Sequence, residues 1–146
     1  MGKTPKKEFF PTSTKQPKAE PRSYYGLNPS WRIRRMEFVD PFGWHTLNAA
    51  SLGYVRSGLV NFESMTWNEI LVQGRKQNHL IAIGELSKAA RDRLNVLFNG
   101  NIDVDELLSL RLTGKERVWG ILDNGVLVLL WWDPQHQVCP SALRNT

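Results

Sequence analysis

The stretch Leu110-Arg111-Leu112-Thr113-Gly114-Lys115-Glu116-Arg117-Val118-Trp119-Gly120-Ile121-Leu122-Asp123-Asn124-Gly125-Val126-Leu127-Val128-Leu129-Leu130-Trp131-Trp132 decides the fold. Two apolar runs flank Asp123-Asn124-Gly125, a turn that supplies positive φ at low steric cost, so the segment reads as a β-hairpin inside a terminal β-meander. Arg111, Lys115, Arg117 and His136 fall on or just beyond these strands. An apolar sheet with cationic ends suits a packed core with a rim that handles phosphate.

Working back from the meander, Glu85 to Phe98 has helical spacing, with Leu86, Ala90, Leu94 and Leu97 on one face and Lys88, Arg91, Asp92 and Asn95 on the other. Asp103 is placed to cap a short helix through Leu108, and His79 to Ile83 is a short apolar strand. Residues 48–76 read as helical with an interruption, where Thr66 and Glu69 have capping-box spacing and Gly74 ends the run. Trp31 to Phe38 alternates like a strand, Asp40-Pro41-Phe42-Gly43 has turn chemistry, and Trp44 to Leu47 is its return strand. These elements predict an α+β fold, a small antiparallel sheet ending in the meander and backed by helices.

Charge divides the chain. Residues 1–35 carry nine Lys or Arg against Glu8 and Glu20, whereas the remaining residues carry ten against twelve Asp or Glu. The basic character therefore belongs to the N-terminal segment and not to the body. Residues 1–29 hold Pro5, Pro11, Pro17, Pro21 and Pro29 and few apolar anchors, which predicts a flexible, disordered basic tail before a single domain over 30–146. Lys3, Lys6, Lys7, Lys15 and Lys18 in the tail, with Arg32, Arg34 and Arg35 beyond it, are candidate nucleic-acid contacts, and Phe9, Phe10, Tyr24 and Tyr25 are available to stack bases. A solubilising extension has the same composition. Lys88 and Arg91 are candidate backbone contacts, although Asp92 beside them also suits an ordinary solvated face.

A single cysteine, Cys139, excludes an internal disulfide and fits a reducing cytoplasm. No apolar run reaches the ~20 residues of a membrane span, and the Lys- and Pro-rich N-terminus has no signal-like apolar core, so a cytoplasmic protein without membrane contact is expected. His45, His79 and His136 show no paired ligand spacing, and no phosphate-binding loop, nucleophile elbow or dinucleotide fingerprint occurs, so no metal and no cofactor is expected.

Over residues 79–146, the order of elements and the basic residues of the meander resemble the RelE/ParE-type toxin superfamily. The resemblance implies a small sheet backed by a helical hairpin and a bacterial toxin–antitoxin role, in which many members cleave mRNA on the ribosome and others act on gyrase. It also implies site residues. Arg111, Lys115 and Arg117 match basic residues of the central strands, and His136 stands where the pattern has a Tyr or His after the last strand. His136 would serve as acid and base, with Arg117 and Lys115 holding phosphate charge, in metal-independent RNA cleavage. Lys115 and Arg117 equally suit a solvated strand edge. The wording Leu130-Trp131-Trp132-Asp133-Pro134-x-His136-x-Val138-Cys139-Pro140-Ser141 also resembles that of a set of short bacterial proteins.

Trp131 and Trp132 are neighbours on a strand and must face opposite sides, which makes one ring a candidate surface for a protein partner, either antitoxin-like or a second subunit. Two functions follow: an RNA-binding, RNA-cleaving toxin-like endoribonuclease, or a non-enzymatic adapter that binds nucleic acid through the tail and protein through the aromatic sheet. They differ in whether Arg117, Lys115 and His136 converge.

Overall fold

The computed structural model describes residues 21–140. Among them β1 (Ser30–Arg32), β2 (His79–Ala82), β3 (Glu106–Arg111), β4 (Arg117–Asp123) and β5 (Val126–Asp133) form one sheet in the order β1-β5-β4-β3-β2. Helices α1 (Ala49–Glu63) and α2 (Lys88–Leu97) complete an α+β fold. Among the described residues, no helix is long and apolar enough to cross a membrane.

The meander is antiparallel throughout, and its turn forms as expected, with Asn124 at φ 54° and Gly125 at φ 93°. The sheet as a whole is mixed, because β1 lies parallel to β5 with Trp31 opposite Leu127. The hairpin expected from Trp31 to Leu47 is absent. Only Ser30–Arg32 is strand, and Trp44–Thr46 is a tight helical turn.

A bulge in β5 accounts for this. Trp119 faces Trp131 while Gly120 faces Leu129, leaving Leu130 as an extra residue. The Leu130 carbonyl then accepts the Glu37 amide at 3.0 Å and the Trp44 indole Nε1 at 3.1 Å. The segment after β1 is thus tied to the bulge rather than to a partner strand.

Helices cover both sheet faces. On one, Ala90 and Leu94 of α2 pack with Ile81, Leu107, Trp119, Leu130 and Trp131. On the other, Val55 and Phe62 of α1, with Trp67 and Ile70, pack with Leu108, Leu110, Val118, Leu127, Leu129 and Trp132. Burial on both faces explains a second correction: residues from Glu106 onward, expected to be helical through Leu108, form strand β3. A strand covered on both sides loses the polar–apolar alternation by which it would be recognised.

Other boundaries follow local chemistry. Thr66 and Glu69 do form the reciprocal cap, the Thr66 amide reaching Glu69 Oε1 at 2.8 Å and the Glu69 amide reaching Thr66 Oγ1 at 3.2 Å. The helical segment widens into a π turn at Glu69–Gln73 and stops at Gly74. Helix α2 begins at Lys88, later than expected, because the Ser87 hydroxyl caps the Ala90 amide at 3.2 Å. Residues 21–29, placed in the tail from their composition, belong to the body. Pro21–Gly26 is a tight helical turn, Tyr24 packs on the α1-side core, Leu27 O accepts the Trp67 amide at 2.9 Å, and Asn28 Nδ2 donates to Glu63 O at 2.7 Å.

Candidate functional site

Cross-strand register assembles the corner. Arg111 on β3 is opposite Arg117 on β4, and Arg117 is opposite Asp133 on β5. Each lies two residues from a member of the row Ser109, Trp119, Trp131, so all three share the face covered by α2. His79 of β2 pairs with Ser109 and extends the polar patch to the sheet edge.

Asp133 shapes the segment that follows. Its Oδ1 accepts the Gln137 amide at 2.8 Å, and its Oδ2 accepts the Val138 amide at 2.9 Å and the Trp119 indole at 3.1 Å. One carboxylate thereby folds residues 134–138 back over the sheet, as Asp does in turns of this kind. Within this turn His136 adopts φ 59° and is only 3% exposed. Its Nδ1 is buried and has no hydrogen-bond partner among the described residues. Burial, and next the positive charge of Arg117, push the His136 imidazole below its ordinary pKa of 6.5, so the neutral ring is favoured.

Arg117 was expected either in a site or on a solvated strand edge. It lies on the middle strand of the sheet at 3% exposure, so the edge alternative is corrected. Its Nη1 donates to the carbonyls of Thr113, Gly114 and Glu116 at 3.0–3.2 Å, tightening the β3–β4 loop beneath it. Burial, then the like charge of Arg111, lower its proton affinity, while Asp133 acts in the opposite direction. Glu116 is engaged elsewhere, accepting from Thr113 Oγ1 at 2.6 Å and from the Tyr54 hydroxyl. Lys115 is exposed at the loop tip, where its Nζ lies 3.4 Å from Gln135 Oε1, next in sequence to His136.

Arg111, Arg117 and His136 therefore lie at one corner of the sheet, and Lys115 stands on the adjoining loop, in contact with Gln135. The candidate nucleic-acid contacts do not join them. Arg32 and Arg34 are exposed on or beside β1, at the opposite sheet edge from β2. Arg35 stacks over the Phe98 ring at 4.9 Å, Lys88 pairs with Asp92 at 2.8 Å, and Arg91 Nε donates to Leu86 O at 3.2 Å. Lys3, Lys6, Lys7, Lys15 and Lys18 lie outside the described residues. Trp131 and Trp132 face opposite sides as expected, but both are buried in the two cores, so neither ring is presented to a partner.

Asp133 and His79 are the site residues that the pattern of basic positions does not reveal. For Asp133 a signal was present, since Asp followed by Pro and a short polar run is turn-forming chemistry. His79 has none, because only the β2–β3 register brings it near. Among the described residues, no three His, Cys, Asp or Glu side chains are grouped to hold a metal ion. No family model matches the chain, and neither does any curated protein or solved structure.

Proposed function

We propose that the corner of Arg111, Lys115, Arg117 and His136 binds an RNA backbone phosphate and cleaves the chain beside it without a metal, as the likeness to RelE/ParE-type toxins suggests. One observation carries this reading: among the described residues, the His136 imidazole, whose lowered pKa favours the neutral form, has an unpartnered Nδ1 and lies beside the buried Arg117 guanidinium, while the neighbouring Asp133 carboxylate is engaged in shaping the turn. The positive charge of Arg111 that lowers the proton affinity of Arg117 is relieved by an anion between them. Unprotonated His136 then suits removal of the 2′-hydroxyl proton. The 2′-oxygen attacks phosphorus, the P–O5′ bond breaks as the departing 5′-oxygen takes a proton from water, His136 returns its proton to solvent, and the products are a 2′,3′-cyclic phosphate and a 5′-hydroxyl. Arg117 and Lys115 balance the extra negative charge of the phosphorane. Entry of a phosphate requires the turn of residues 134–138, which carries His136, to move, since His136 and Arg117 are each only 3% exposed.

That burial favours a second reading, a non-enzymatic adapter that binds nucleic acid through its basic N-terminal segment. End-labelled RNA, free and ribosome-bound, incubated with the protein in excess EDTA separates the two. Cyclic-phosphate ends that disappear with His136→Gln support the nuclease. RNA binding without product, abolished by deleting residues 1–20, supports the adapter. That deletion removes Lys3, Lys6, Lys7, Lys15 and Lys18, and each lost phosphate contact flattens the slope of log K against log salt by about 0.7–0.9.

A further inference from the structure

The opposite side of the sheet carries a cavity that this chemistry does not use. It has a volume of about 430 Å³ and lies between α1 and the segment that follows β1. Trp31, Phe38 and Trp44 form one wall, and Val55, Leu59 and Val60 of α1 form the other. The size and aromatic lining are those of small-molecule sites, which enclose apolar surface and use a few placed polar groups for orientation.

Two charges mark its ends. Arg56 and Glu63 both line the cavity from α1, two helical turns and roughly 10 Å apart. Glu63 is engaged, its Oε2 accepting the Trp31 indole. The Arg56 guanidinium makes no hydrogen bond or ion pair among the described residues, whereas Arg93 is paired with Glu37 and Arg91 bonds a carbonyl. A free guanidinium beside a large apolar cavity is matched by a ligand that combines a carboxylate with an apolar body.

We propose that this cavity binds an amphipathic monocarboxylate, its carboxylate on Arg56 and its aliphatic or aromatic body along Trp31, Phe38 and Trp44. The Glu63 charge sets the direction, because a carboxylate at that end meets a like charge. Arg56 supplies a charge-assisted, two-pronged contact of the kind that guanidinium makes with carboxylate. The body removes exposed apolar surface from water, including Phe38 at 60% exposure and Val60 at 47%.

Titration calorimetry of the full chain with decanoate, and with decanol as the neutral control, tests the assignment, with the Trp31 and Trp44 indole N–H signals reporting the place of binding. Saturable decanoate binding that shifts both indoles is expected, together with weaker binding of decanol. Arg56→Gln should weaken decanoate about tenfold and leave decanol unchanged, the difference expected for one charge-assisted contact. Val60→Glu, at an exposed position, should weaken both ligands while the circular dichroism spectrum is retained. No saturable decanoate binding, equal affinity for the two ligands, or an Arg56→Gln variant that binds decanoate like the parent would each overturn the proposal. So would concentration-dependent dimerisation lost with Val60→Glu, which would assign the face to a second copy.

Discussion

Arg93 on α2 holds Glu37 by two hydrogen bonds, Nε to Oε1 at 3.2 Å and Nη2 to Oε2 at 2.6 Å. Oε1 also accepts the Trp131 indole at 2.9 Å. This buried carboxylate joins the segment after β1, helix α2 and strand β5 at one point.

Glu37→Ala should therefore destabilise the protein by roughly 3 kcal/mol, toward the low end for breaking a buried pair because Arg93 is a quarter exposed. Glu37→Gln, which keeps an acceptor for Trp131, should lose less. Urea midpoints for the two variants check the order; equal losses would show that the indole contact is immaterial.

Asp133→Ala leaves the Gln137 and Val138 amides and the Trp119 indole without their acceptor. Stranded buried donors cost about 1–3 kcal/mol each. A loss of at least 3 kcal/mol is expected, with earlier amide exchange at Val138 than in strand β4. Retained protection at Val138 would mean that the turn stands without the carboxylate.

The depressed His136 pKa sets the sign of a pH effect. Well above its ordinary pKa of 6.5, from about pH 7.5, the ring is neutral in both the folded and the unfolded chain and contributes no slope. Below that value the unfolded chain takes up a proton that the folded site resists, so stability falls as pH falls, until the folded-state pKa is passed. Melting curves of the parent and of His136→Gln between about pH 8 and pH 5 should diverge only on the acid side. Parallel curves would remove burial as the cause.

Under the nuclease reading, His136→Ala should reduce single-turnover cleavage by about 10²–10⁴, the range of a positioned proton-transfer group. Arg117→Ala should reduce it by about 10²–10³. Both side chains are buried, so the variants must be compared below their own melting temperatures. Unaltered cleavage by a folded His136 variant would remove the residue from the chemistry.

Deleting residues 1–28 removes Tyr24 from the α1-side core, the Leu27 acceptor of the Trp67 amide and the Asn28 bond to Glu63. A fall of about 10 °C in melting temperature is expected for a loss of a few kcal/mol in a domain of this size. A change of one or two degrees would return these residues to the tail.

How much was legible from sequence depends on where period and turn chemistry act unopposed. Asp123-Asn124-Gly125, the Thr66–Glu69 cap and the polar and apolar faces of α2 are local signals, and they appear where they were expected. The first half of β3 was hidden because both of its faces are covered, and the parallel pairing of β1 because its partner lies near the far end of the chain. At the site, residue types were readable, but depth was not. Nothing local in Arg117 states that its strand is central, and the burial of His136 is created by Asp133 acting through the turn.

The pairing of β1 with β5 orders events during synthesis. Ser30 meets Val126, ~96 residues later, so a ribosome must deliver nearly the whole domain before the sheet gains its first strand. Until then α1 has emerged without the strands against which Val55 and Phe62 are packed. Contacts of such long range slow folding and prolong exposure of apolar surface. A nascent chain stalled before Val126 would thus be a client for chaperones, and a truncated product lacking β5 a target for proteolysis.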